Sequence, residues 1–518
     1  MNLSFMFPVI PHPPILGNLR SLHAILWCYP QGLRWTVFTS TGLSSVIGTD
    51  VAEGDQLAFL GQGAGTYLFE IAGFTQGDVE IFDISDPADI SRIVNNSTEL
   101  VGTTYTTRFK DSVQGERRYI ALTPTQRKSP AGIILDAPSD LKDTTNGADY
   151  IIITHEDFYD SILPLASYRQ SQGLRVKTIK ITDIYDEFND GIFDPQAIKD
   201  FLSYAYHNWV PPAPSYVLLL GDANMDYKDN FHTGNINYVP THLYETWELG
   251  ETPNDNWFVC VSGDDILPDM FIGRISVKTA VEAGIVVDKI LAYERTSCPG
   301  SWNKNALFVA DDDIPSFESI SEELIGLLPP TYNPLRVYVG DYSVPGNPTA
   351  DIINYINEGC VIVNYVGHGN VDVWGSWAGG RIFESANIAS LNDGGKLPLV
   401  TTMTCLNGFF PHPMDDFCLA EEFLRAENKG AIAVWSPTGL GYPSGHRILV
   451  KELFKAIFAN GNRLLGSATT QAKIATYAQD SGWGDLVETF ILFGDPVTEI
   501  GLPSDTFKIY LPIILRNR

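Results

Sequence analysis

Two rhythms of apolar residues divide the chain. From about Val37 to Leu122, short β-rich pieces (QLAFLG, GTYLFEIAGF, DVEIFDI, YTTRFKD and ERRYIAL) alternate with turn signals, the pattern of half-buried strands in a small antiparallel β domain. Residues 123–148 carry Pro, Ser, Lys, Asp and Asn without periodicity and read as a linker. From Asp149 the pattern changes to continuous apolar runs followed by helical segments. DYIIITH leads into LPLASYRQSQG, LRVKTIKI into DPQAIKDFLSYAYHNW, and SYVLLLGD follows. A second series repeats the rhythm with NALFVADDD, SISEELIGLLP, LRVYVGD, TADIINYINEG, CVIVNYVGHGN, LPLVTTMTCLNG, FCLAEEFLRAENKG and AIAVWSPTG. Strands apolar throughout, separated by amphipathic helices, predict mostly parallel sheets covered on both faces.

The expected class is therefore α/β: a β-rich domain over 1–122, a linker over 123–148, and two three-layer α/β/α subdomains over 149–298 and 299–502. The tail, 503–518, holds FKIYLPIILRNR, which reads as an added strand or a sorting tag. A length of 518 residues agrees with about three domains.

Charge narrows the function classes. Lys and Arg number 34 against 62 Asp and Glu, a formal charge of −28, which repels phosphate backbones and excludes nucleic acid as the expected partner. Such acidity has two readings: a solvated surface, or carboxylates gathered on Ca²⁺ as a structural ion. Six cysteines (28, 260, 298, 360, 405 and 418) are spread without a CxxC pair, so neither a zinc module nor a disulfide scaffold is written here. No apolar run reaches the length of a transmembrane helix. The first 30 residues lack a basic start before a clean apolar stretch and are broken by prolines, so no signal peptide is evident.

In open α/β sheets, ligands bind beyond the carboxyl ends of the strands. VIVNYV ends in Gly367-His368-Gly369-Asn370, and LPLVTTM ends in Thr404-Cys405-Leu406-Asn407-Gly408. If these sequential strands are neighbours, a histidine and a cysteine emerge side by side. Cys405 would attack a carbonyl and His368 would protonate the leaving amine, then activate water. The amides of Gly369 and Cys405 are the candidate oxyanion donors. A lone Cys or His is more often a packed core residue; it is their joint position at two strand ends that points to chemistry. Other constellations carry less. His412, Asp415, Asp416 and Cys418 contain no ligand pair of recognised metal spacing. Asp311-Asp312-Asp313 also ends a strand and reads either as a solvated, helix-capping loop or as part of the site. Gly221-Asp222 suggests a structural or calcium role.

The stretches NYVGHGNVDVW, LPLVTTMTCLNGFF, FCLAEEFLRAENKGAIAVWSPTG and ILFGDP resemble the signature of the gingipain-type cysteine peptidases, relatives of caspases, legumain and separase. YVLLLGDAN, DNWFVCVSGDD, DMFIGRISVKTAVEA and KILAYE resemble the family's first α/β half, so the likeness runs from about Tyr150 to Ile500. GFTQGDVEIFDISDP resembles the region that precedes the catalytic part and can act as a propeptide. The resemblance implies two caspase/gingipain-like subdomains, Cys405 as nucleophile, His368 as general acid/base, and Gly369 with Cys405 at the oxyanion. It places Asp311 as the acid that orients the histidine. Where Arg-specific members hold the substrate cation with a carboxylate, this chain has Phe317, a departure that removes support for an Arg preference. Tyr442 is the counterpart of an aromatic that lines the primary pocket. The resemblance further implies protein or peptide substrates, an extracellular or cell-surface location, no cofactor required for the chemistry, and Ca²⁺ as a structural ion. The expected function is cysteine endopeptidase action through a thioester acyl-enzyme on a Cys-His dyad. Two alternatives stand beside it: a sorting-type transpeptidase, and a non-catalytic surface protein on the same fold.

Overall fold

The computed structural model describes residues 46–503 apart from 62, 87–88, 130–137, 296–299 and 415–416. The readings of the N-terminal start and of the tail from residue 504 lie outside the described residues. The chain divides into two compact units, 1–136 and 137–518.

The first unit is built from β1 (Val46–Val51), β2 (Gln56–Gly61), β3 (Gly65–Phe74), β4 (Glu80–Asp83), β5 (Ser91–Ile93), β6 (Ser97–Val101), β7 (Thr104–Val113) and β8 (Arg117–Leu122). They form two four-stranded sheets, β1-β3-β7-β6 and β2-β8-β4-β5. All pairings are antiparallel except that of β1 with β3. Phe69 and Phe109 face each other across β3 and β7, their rings stacked at 4.7 Å, and with Ile71, Ile81 and Tyr119 they make the core. β1, β5 and β6 add to the strands expected from alternation. Each lies at a sheet edge and is paired along one side only; β6 leaves Leu100 and Val101 exposed.

The second unit begins with β9 (Tyr150–Thr154), α1 (Tyr159–Ser171), β10 (Val176–Lys180), α2 (Ile181–Asn189), α3 (Pro195–Asn208), β11 (Tyr216–Leu220), a hairpin of β12 (His242–Thr246) and β13 (Gly250–Asn254), β14 (Phe271–Ile275) and α4 (Ala280–Arg295). It continues with β15 (Asn305–Ala310), α5 (Ser316–Ile325), β16 (Asn333–Tyr338), α6 (Pro348–Glu358) and β17 (Ile362–Val366). Two small hairpins follow, β18 (Gly369–Asn370) with β19 (Val373–Trp374) and β20 (Ser376–Trp377) with β21 (Gly380–Arg381). The described residues close with β22 (Leu399–Met403), α7 (Leu419–Arg425), β23 (Ala433–Pro437), α8 (Pro443–Phe454), α9 (Leu465–Gln479), α10 (Gly484–Thr489) and β24 (Phe490–Phe493).

Ten of these strands make one sheet in the order β10-β9-β11-β14-β24-β23-β22-β17-β15-β16. Because β9, β17, β22 and β23 are buried along their whole length, and β11 beyond Tyr216, with helices over both faces, their sequences are mostly apolar without alternation. In β9, Tyr150 and Ile152 point to the layer with α1 and α4, and Ile151 and Ile153 to the layer with α2 and α3.

Two expectations need correction. The expected boundary at 298/299 separates the two series along the chain but not in space, because β24, the last strand among the described residues, enters the sheet between β14 and β23 and joins them. It is antiparallel to β23, and the carboxyl ends of both series leave at one edge: Ser276, just past β14, bonds Glu421 of α7 at 2.6 Å, and the amide of Met225, past β11, donates to Pro411 O at 3.0 Å. The expected linker, in turn, is partly docked: the Glu187 carboxylate accepts the amides of Leu141 and Lys142 at 2.7 and 3.0 Å, and Trp209 Nε1 donates to Leu141 O at 3.0 Å. No helix among the described residues is long and apolar enough to cross a membrane.

Candidate functional site

β15, β17 and β22 are consecutive neighbours. Ala310 pairs with Val366, and Val366 with Met403. The ladder runs one step past the strands, with Asp311 N donating to Val366 O at 3.1 Å and Gly367 N to Met403 O at 3.2 Å. His368 and Cys405 each stand two residues beyond the last ladder pair, Val366 and Met403, so they leave the sheet side by side. The approach of the two loops is close: a Cβ on Gly369 would lie 2.4 Å from Thr404 Oγ1. Only glycine fits there.

Asp311 is fully buried and serves the backbone of the histidine loop, in contrast to the expectation that it orients the imidazole. Its Oδ2 accepts the amide of His368 at 3.0 Å and lies 3.5 Å from Tyr365 Oη, and Oδ1 accepts the amide of Asp312 at 2.9 Å. Burial raises the Asp311 carboxyl above its ordinary value, and the amides of His368 and Asp312 oppose the rise. Tyr365 Oη donates its one proton to His368 O at 2.6 Å and accepts the amide of Gly375 at 2.9 Å. A Cβ on Gly375 would lie 2.3 Å from Asp311 Oδ2, so the loop is folded tightly onto the acid. The carboxylate that faces the imidazole is Asp313, 3.9 Å from Nε2. Phe317 is buried and meets the His368 ring edge-on at 5.6 Å. It therefore backs the imidazole from the core side of α5, and the expectation that it lines a substrate pocket does not hold.

On the other side, Cys405 Sγ lies 3.9 Å from Gly441 O. Burial raises the Cys405 thiol above its ordinary value, and the Glu248 carboxylate adds to the rise. A base able to take the thiol proton is thus needed to produce the thiolate. Leu406, the next residue, has φ +60°, and its amide donates to Gly439 O at 3.1 Å. Tyr442 is exposed, and its hydroxyl donates to Glu248 at the tip of the β12–β13 hairpin. The site accordingly draws on both series: the hairpin places Glu248, beside the almost fully exposed Trp247, next to the Cys405 loop. No sequence signal marks Glu248, which is 157 residues from Cys405 and on a hairpin of its own.

Asp222 is not part of this cluster. It follows β11, and its Oδ1 is taken by Ala223 N and Ser276 Oγ. Of the proposed metal constellation, His412 Nδ1 accepts the amide of Met414 at 3.3 Å and Cys418 is buried; Asp415 and Asp416 lie outside the described residues. Among the described residues no three His, Cys, Asp or Glu side chains gather closely enough to hold a metal ion.

The chain matches the profile of peptidase family C25 over residues 143–501. It is similar to Gingipain R2 of Porphyromonas gingivalis, 25% identical over 369 residues that cover 67% of this chain and 45% of that protein. It is also similar to Lys-gingipain of the same organism, 24% identical over 289 residues, 55% of this chain and 15% of that protein. The chain thus spans less than half the length of these curated relatives. Among solved structures, that of the Arg-specific cysteine proteinase gingipain R matches with a TM-score of 0.56 at 23% identity, over 70% of this chain and 80% of that one.

Proposed function

The chain belongs to peptidase family C25, and on that premise we propose that it is a cysteine endopeptidase whose nucleophile is Cys405 and whose general acid/base is His368. The observation that carries this reading is the level exit of the two residues from neighbouring parallel strands, two positions past Val366 and Met403. The buried thiol resists ionisation on its own, so transfer of its proton to His368 makes the thiolate and leaves the imidazolium ready to protonate the leaving amine. Attack on the scissile carbonyl forms a tetrahedral oxyanion within reach of the amides of Gly369 and Cys405. Its collapse releases the amine and leaves a thioester on Sγ. Water activated by His368 then hydrolyses the thioester and restores the thiol. Asp311 holds the loop by its backbone, and Asp313 faces the imidazole edge. Protein or peptide chains are the substrates, and the likeness to the gingipains supports an exported enzyme.

Cys405→Ala tests the assignment. Hydrolysis of an unfolded protein substrate should fall by about 1,000-fold or more, as when the nucleophile of a catalytic unit is removed. Full activity in that variant would sink the reading.

A further inference from the structure

Two residues after the nucleophile, Asn407 is fully buried, and its carboxamide reaches across to the histidine loop. The two protons on Nδ2 go to Asn370 O and, at 3.0 Å, to Val373 O. Those two residues are a pair facing each other across the β18–β19 hairpin that begins immediately after His368, so a single side chain holds both strands of it. Carbonyl oxygens accept only, which fixes the nitrogen, and not Oδ1, on the hairpin side. The base of this clamp is itself held. Asn407 O accepts the amide of Ala420 at 3.0 Å, the Gly408 amide donates to Pro437 O at 2.8 Å, and Leu406 N is bonded to Gly439 O. The tip of the hairpin meets the same helix, with Leu419 N donating to Val371 O at 2.8 Å.

Asp311 and Tyr365 hold the near end of the histidine loop to β15 and β17, on the side away from the cysteine. Asn407 is the side chain that ties the far end to the cysteine loop. The geometry points to Asn407 as a positioning residue that sets the separation and orientation of His368 relative to Cys405. This inference rests on the peptidase reading of that pair. A hairpin released from Nδ2 would keep its two-stranded form, because its own ladder is intact, but would no longer be indexed to the nucleophile. Proton transfer between the side chains, which needs hydrogen-bond reach, would suffer before binding does.

The test uses the full chain and reads the Cys-His pairing apart from turnover. Asn407→Asp removes both donors at nearly constant volume and turns lone pairs toward two carbonyl oxygens. Alkylation of Cys405 by iodoacetamide is followed across pH on the peptide that carries it. In the natural chain, reaction should persist as a shoulder below the ionisation of an unassisted thiol, and His368→Ala should abolish the shoulder. Asn407→Asp should abolish it likewise and lower kcat by about 100-fold with KM little changed. A folded Asn407→Asp protein with the natural shoulder and kcat would overturn the inference while leaving the peptidase standing. A natural chain without a shoulder would overturn the peptidase reading together with this one. Should the Asp variant fail to fold, Asn407→Ala is read in the same assay. A folded Ala variant that keeps the shoulder overturns the proposal, and failure of both to fold assigns the residue to the core instead.

Discussion

At the scale of single residues, the site depends on groups that are absent as much as on those present. Gly369 and Gly375 stand where a Cβ would meet Thr404 Oγ1 at 2.4 Å and Asp311 Oδ2 at 2.3 Å. Both neighbours are buried and cannot turn aside cheaply. Gly369→Ala should therefore lower kcat/KM by roughly 100-fold, the cost of a misplacement near 1 Å. Adding Thr404→Ala should restore part of the loss, because it deletes the atom that clashes. Steady-state kinetics on the single and double variants check this, and additive losses would remove Thr404 as the cause. The glycine-flanked histidine was legible in the sequence, since GHG breaks an apolar strand. The role of Asp311 was not: the same carboxylate can bond a ring or an amide, and only the fold shows that it takes the amide of His368.

At the scale of elements, α7 links the nucleophile loop to the first series through a proton. Ser276 Oγ lies 2.9 Å from Asp222 Oδ1 and 2.6 Å from Glu421 Oε1, and Glu421 Oε2 accepts the amide of Cys418 at 2.7 Å. A hydroxyl has one proton, so with both carboxyls at hydrogen-bond distance one of them must supply the other. Burial raises both carboxyls above their ordinary range, and Lys278, 3.6 Å from Asp222 Oδ2, favours Asp222 as the charged partner. The folded chain thus binds a proton that the unfolded chain releases once pH exceeds the ordinary carboxylate range. Stability should fall as pH rises from there through neutrality, by up to about 1.4 kcal/mol per pH unit. Glu421→Gln, which copies the protonated shape and can donate to Ser276, should flatten that slope. Denaturant midpoints at pH 5 and pH 8 decide it, and an unchanged slope would place the shared proton elsewhere. The sequence marked Asp222 as a strand-end acid and α7 as a helix. It could not bring them together, because nothing local relates residues 222 and 421.

At the scale of the whole α/β unit, β24 is the join. The turn that follows it carries Asp495, whose carboxylate accepts Arg169 Nε at 2.9 Å and Nη2 at 2.7 Å and the Tyr150 hydroxyl at 2.9 Å. Glu294 of α4 holds the other side of the same guanidinium at 2.6 and 2.7 Å. Arg169 and Asp495 are almost wholly buried, so Asp495→Ala would leave a guanidinium with half its partners and should cost about 3–5 kcal/mol of stability in chemical denaturation. A loss under about 1 kcal/mol, the range of an exposed pair, would show that this corner does not hold the sheet together.

What the sequence by itself determined was everything that burial writes locally. Strands covered on both faces must be largely apolar, and helices must show a stripe, so the α/β class and the strand ends that carry His368 and Cys405 could be read directly. What only the tertiary structure decided was order and direction. The apolar runs are chemically alike, and any could lie beside any other. Long-range pairing placed β24 between β14 and β23, joined the first series to the second, and brought Asn407, Asp313 and Glu248 to one edge. Each of those three acts through a contact with a residue far off in the chain, and no periodicity records such a contact.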